Sequence, residues 1–237
     1  MKENSRFAVL LVLAAAILAL AGCSDGTYQT REDDVSGFNR VRIETFGEII
    51  IEQGDKESLA IEAPRDYLRY ITSEVQGDIL IIGTRRGFVG APVQRVTYTI
   101  SVINLDEISL SGAGAVKVYS LETGDFMVNL SGAGSIEIDE LKADDLQVSL
   151  SSAGAIVIAG EAKSQDINLS GVGSYEAGDL KSDDAGINLS GAGSVVVWVE
   201  NSLNVNVSGI GSVSYYGNPN VNQNISGLGS VNSRGER

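Results

Sequence analysis

Leu110-Ser111-Gly112-Ala113-Gly114 is a phrase that the chain carries in seven copies. It returns as Leu130-Ser131-Gly132-Ala133-Gly134, then from Leu150 with Ser152 in place of the first glycine, then from Leu169, Leu189, Val207 and Ile225. The serines are Ser111, Ser131, Ser151, Ser170, Ser190, Ser208 and Ser226, spaced by 20, 20, 19, 20, 18 and 18 residues. The closing glycines Gly114, Gly134, Gly154, Gly173, Gly193, Gly211 and Gly229 keep the same step. Near-equal spacing of this kind marks a solenoid.

The period inside each copy gives its type. Apolar residues alternate before the phrase (Phe126, Val128, Leu130; Leu203, Val205, Val207) and after it (Ile136, Ile138; Val195, Val197). A period of two is a strand with one buried face. Gly-x-Gly between two such strands predicts a sharp turn through positive φ. The segments 139–145 and 178–184 predict polar turns that each point one leucine inward. Coils of 18–20 residues without a helical period make a parallel β-helix, each coil stacked ~4.8 Å above the last. Stacking predicts a polar column of the repeat serines. It also predicts a Ser/Asn ladder through Ser109, Asn129, Ser149, Asn168, Asn188, Asn206 and Asn224.

Outward from the repeats the pattern loosens. Residues 37–105 show the same strand, glycine, strand order with worse periodicity (Val41, Ile43, Gly47, Ile49, Ile51), against the regular 106–232. Arg65 to Val75 places Leu68, Ile71 and Val75 on one helical face behind Pro64, which predicts a short helix near the N-terminal end. A solenoid must blunt its ends, and the charges of the polar tail 233–237 suit that purpose.

Composition narrows the chemistry. The 237 residues carry 17 basic and 31 acidic side chains, 28 glycines, 1 cysteine, 1 tryptophan and no histidine. Without histidine there is no His-based triad and no His-ligated metal; one cysteine allows no disulfide framework. A net charge of −14 opposes nucleic-acid binding. The Gly-x-Gly phrases lack the Gly-Lys-Ser/Thr of a phosphate loop. No catalytic residue, metal ligand or cofactor site is assigned. Asp125, Asp144, Asp145, Asp166, Asp183 and Asp184 recur at turns, where stacked carboxylates would suit Ca²⁺ or a glycosidase acid/base pair; aspartates in turns need no such role. Tyr175 and Tyr215 take the inward parity. Trp198 and Tyr216 take the outward one and form a candidate platform for stacking on sugar rings.

The N-terminus resembles a bacterial lipoprotein leader. Lys2 and Arg6 precede fifteen apolar residues, Phe7 to Ala21, too few to span a bilayer. Leu20-Ala21-Gly22-Cys23 then resembles a lipobox. That resemblance implies cleavage after residue 22, acylation of Cys23 and a membrane partner reached through lipid. With Ser24 rather than Asp following, it implies the outer membrane. Residues 23–36 read as a polar tether and 37–232 as the folded head. The opening Gly37-Phe38-Asn39-Arg40-Val41, then Glu52-Gln53-Gly54-Asp55, then the repeated phrases are similar to the head GIN domain family of auto-transporter adhesins, over about residues 36–232. The resemblance implies a right-handed β-helix. No C-terminal run of amphipathic strands resembles a translocator barrel, so self-transport is not expected.

Together these readings describe a lipid-anchored, non-enzymatic binding module or adhesin for a glycan or protein partner. The alternatives are a structural envelope component and, more weakly, a carbohydrate-active enzyme.

Overall fold

The structure is a computed structural model that describes residues 28–85 and 95–237. The leader, Cys23 and the first residues of the tether lie outside the described residues. The rest is a parallel β-helix of about six turns.

Four long strands make its body: β11 (Ala133–Leu150), β12 (Ala153–Leu169), β13 (Val172–Leu189) and β14 (Ala192–Val207), each parallel to the next. Below them lie β8 (Glu107–Leu110), β9 (Ala113–Glu122) and β10 (Phe126–Leu130). Above them lie β15 (Ile210–Tyr216), β16 (Asn220–Ile225) and β17 (Leu228–Ser233). Register puts like on like. One inner column runs Ile43, Leu110, Leu130, Leu150, Leu169, Leu189, Val207 and Ile225. Its members are buried except the last, Ile225, on the top coil. Burying aliphatics at every second position is what holds each strand in this register, since a slip of one residue would turn the column outward.

The segments 139–145 and 178–184 are not turns. They continue β11 and β13 as extended chain, with Lys142 opposite Glu161 and Ala143 opposite Ala162. Inter-coil hydrogen bonds carry the strand round the corner, and Leu141 and Leu180 point into the core.

The glycines of the phrase also act differently from the prediction. None of them has positive φ. The corner forms because two successive amides, those of Ser131 and Gly132, donate to one carbonyl, that of Leu110, at 3.0 and 3.1 Å. Ser208 and Gly209 do the same to Leu189 at 2.9 and 3.2 Å. Glycine is required by closeness. A Cβ at 132 would fall on the carbonyl oxygen of Gly112, one at 191 on that of Gly171, and one at 209 on that of Gly191. The exception explains itself, because the Ser152 hydroxyl donates to the carbonyl of Gly132.

The N-terminal end is a cap. β2 (Arg40–Ile43) and β3 (Phe46–Gln53) form a coil under β8 and β9, while β6 (Ile79–Thr84) and β7 (Thr97–Val102) lie under that coil. β4 (Ser58–Pro64) is antiparallel to β7 and to β1 (Tyr28–Asp33), so Leu59 and Ile61 belong to a closing sheet rather than to a coil. The expected helix is only α1 (Arg65–Leu68); Ile71–Gln76 is β5, antiparallel to β6. A β-branched stretch offered a pairing edge prefers it to a helix, and Gly77 at φ 68 makes the two-residue hairpin. Among the described residues, β16 and β17 on the top coil each pair on one side only.

Gly132→Ala should therefore lower stability in urea unfolding by about 1–3 kcal/mol through overpacking. Gly132→Ser, able to reproduce the Ser152 bond, should cost less. Gly124→Ala, where a Cβ meets nothing within 4 Å, should be near neutral. Equal effects at positions 124 and 132 would refute the close-approach explanation.

Candidate functional site

An outward column crosses the body of the helix in register: Glu122, Lys142, Glu161, Lys181, Trp198, Tyr216. Signs alternate from coil to coil, which turns the like-charge repulsion of stacked identical residues into attraction. Lys142 pairs with Glu122 at 2.6 Å, and on the neighbouring column Lys163 pairs with Asp144 at 2.6 Å. The aspartates follow the same rule. Asp145, Ser164, Asp184 and Ser202 alternate, with the Ser202 hydroxyl donating to Asp184 at 2.5 Å. No group of three His, Cys, Asp or Glu side chains is gathered to hold a metal among the described residues.

The column ends in the two rings, side by side on adjacent coils and half-buried. A step in the ladder sits beside them. β13 and β14 pair through Ala177 with Val197 and resume at Lys181 with Trp198, leaving Gly178, Asp179 and Leu180 without partners on β14. The cause is coil length, since the serine spacing falls from 20 to 18 at this level. Leu180 turns inward and is fully buried; Gly178 and Asp179 stand out as a ledge. A Cβ on Gly178 would sit 3.2 Å from the Tyr216 ring, so bare backbone lets the ring lie close.

Cations collect on these rings. The Lys181 ammonium lies 5.6 Å from the Trp198 centroid, and the Arg234 guanidinium 5.7 Å from that of Tyr216. Arg237 lies 5.1 Å from Tyr216 and 5.9 Å from Trp198, and donates to the Gly178 carbonyl and the Asp179 carboxylate. The Trp198 indole N–H donates to Glu200 at 2.9 Å. The expected sugar platform is thus outward, as parity predicts, but its rings already carry the protein's own cations.

Beneath the rings runs a buried polar chain that the pattern did not reveal. Tyr175 donates to Gln165 at 2.7 Å, Gln165 to Ser182 at 2.9 Å, and Ser182 to the backbone carbonyl of Trp198 at 2.9 Å. Tyr175 takes an Ile156/Val195 position, and Gln165 an inner position between Leu146 and Ala185. The small Ala185 beside a glutamine and a large tyrosine one level off was the available signal. Every member is satisfied, which buried polar groups demand.

The other predicted positions fall as follows. The repeat serines form an exposed column at the phrase corner, with Ser111 donating to Ile43 at 3.3 Å. The residue before the closing glycine is alanine in four copies of the phrase (Ala113, Ala133, Ala153, Ala192) and otherwise Val172, Ile210 or Leu228, all three exposed. The amide ladder is present where Asn206 donates to Asn188 and Asn188 to Asn168, both at 3.2 Å. Cys23 lies outside the described residues.

The family described as "Putative auto-transporter adhesin, head GIN domain" matches residues 37–219. A "putative adhesin" from Bacteroides fragilis has a TM-score of 0.84 at 26% identity, over 88% of this chain and 97% of its own. A "putative lipid binding protein" from Parabacteroides distasonis gives 0.67 at 24%, over 88% and 97%. A "putative adhesin" from Parabacteroides merdae gives 0.64 at 21%, over 88% and 97%. The last two show the fold alone. No curated protein matches the chain.

Burial raises the Tyr98 phenol to about 12 and the Tyr175 phenol further. The folded state holds both neutral, so their contribution to stability is full below about pH 10 and declines as pH rises from there through 12. Ultraviolet titration should show these two among the eight tyrosines ionising only as far-UV circular dichroism is lost. Their ionisation in a folded chain near pH 10 would contradict the burial.

Proposed function

The chain belongs to the head GIN domain family, and on that premise we propose that it is a lipid-anchored binding module or adhesin of the bacterial cell envelope. The family and the similar structure from Bacteroides fragilis are both described as "putative" adhesins. The observation that carries the reading is the outward Trp198–Tyr216 pair with its ledge, set on a stack of coils that cannot easily deform. A rigid support spares the ordering cost that flexible loops incur on binding. Acylated Cys23 supplies the anchor, and the tether is the short stretch between it and β1 rather than all of 23–36, because Tyr28–Asp33 pair with β4 in the cap and Val35 is buried. The exported part, with 15 basic and 30 acidic residues, is repelled by anionic headgroups and stands off the membrane. The partner is a glycan or a protein of a neighbouring surface, and the outer membrane is the site of display.

Protease treatment of intact cells, against a lysed control, tests the display. The head should be removed from intact cells. Protection until lysis would place it inside the envelope and overturn the adhesin role in favour of a structural one.

A further inference from the structure

We propose that the ledge of Gly178 and Asp179 with the rings of Trp198 and Tyr216 is a recess for a cationic side chain of a basic protein partner, a guanidinium above all, and that Arg237 fills it in cis until such a partner displaces it. The inference rests on the binding-module reading and names the partner's chemistry.

The recess offers acceptors. The Gly178 carbonyl lies in the segment that the register shift frees from the β13–β14 ladder, and Asp179 adds a carboxylate beside it. Two ring faces add the negative end of their quadrupoles. The one ring N–H, on Trp198, is engaged by Glu200. The two ledge groups only accept, and a pair of acceptors beside aromatic faces suits a planar, multiply donating cation. Arg237 displays that fit, since its guanidinium spans both acceptors and both rings. Lys181 and Arg234 flank the same rings, Lys181 already 3.8 Å from Glu200. A Cβ on Gly178 would stand 3.2 Å from both the Tyr216 ring and Val196, so the bare backbone is what lets the ring lie against the ledge.

Charge selects the same partner. A chain of net charge −14 draws basic partners toward it at long range. The cis contact is readily exchanged: the side chains of Arg237 and Asp179 are 37% and 66% exposed, and ion pairs in such exposed settings are weak.

Trp198 is the only tryptophan, so its emission reports this recess directly. The experiment titrates the full chain in detergent with an end-blocked Gly-Gly-Arg-Gly-Gly peptide and with its citrulline counterpart, neutral but of the same shape. Arg237→Gln should shift the emission with unchanged circular dichroism. It should also tighten saturable binding of the arginine peptide by about fivefold over wild type, because the competing occupant is gone. Asp179→Asn in the same background should weaken that binding, as should added salt. Equal responses to arginine and citrulline, or no tightening in Arg237→Gln, would overturn the proposal. A neutral oligosaccharide that quenches Trp198 while neither peptide does would overturn it too, yet leave the binding-module reading standing. Loss of surface display would defeat that reading alone.

Discussion

At the phrase corner the backbone of one coil lies so close over the next that the carbonyl oxygen below occupies the space of a side chain above. The rest of the architecture follows from that approach. It lets two amides share one carbonyl, as Ser170 and Gly171 share Leu150 at 2.9 and 3.2 Å, and so bends the chain without left-handed residues. It sets every coil at one height, which aligns Leu on Leu inside and serine on serine outside. It also fixes the phrase, because alanine at most of these glycines would meet backbone, which cannot move aside as a flexible side chain can.

With the corner fixed, coil length becomes the variable that makes features. Losing one residue between Ser151 and Ser170 is absorbed at Gly160, whose φ of 124 and bare Cα let it sit against Leu141. The shortening to 18 residues after Ser190 cannot be hidden in that way. The longer coil below then projects Gly178 and Asp179 beyond the shorter one above, next to Trp198 and Tyr216. Inside, the Tyr175, Gln165 and Ser182 chain ties two levels to the backbone of Trp198 on a third. The ledge and the rings therefore stand on a support braced by both apolar columns and hydrogen bonds. Stacking also constrains the surface. Identical charges would face each other at strand spacing, and alternation such as Glu122, Lys142, Glu161, Lys181 removes the conflict while keeping the face soluble.

The fold was legible because a solenoid writes its core one coil at a time. Alternation in Phe126–Leu130 or Leu203–Val207 states which face is inside, and the repeats state what lies above. The outward parity of Trp198 and Tyr216 was legible for the same reason. Other features depend on which strand lies opposite, which periodicity does not encode. Ile71 and Val75 satisfy a helical face and a strand equally well; the hairpin edge of β6 decides. Leu59 and Ile61 alternate like any coil, yet pair antiparallel to close the end. Segments such as 139–145 look like turns because their outward residues are charged, although their amides remain in the ladder. The ledge was written only as a change of spacing from 20 to 18. What that change does to a neighbouring coil is visible only in three dimensions.

Residue-resolved hydrogen exchange at the repeat serines tests the stacking most directly. Their side chains are exposed, but the amides of Ser131, Ser151, Ser170, Ser190 and Ser208 donate to the coil below at 2.9–3.0 Å. These five amides should be protected together with the buried strands, with protection falling off at Ser226, which follows β16, a strand that pairs on one side among the described residues. Exchange at all of them as fast as in a free chain would mean that the coils do not stack at the glycine corner.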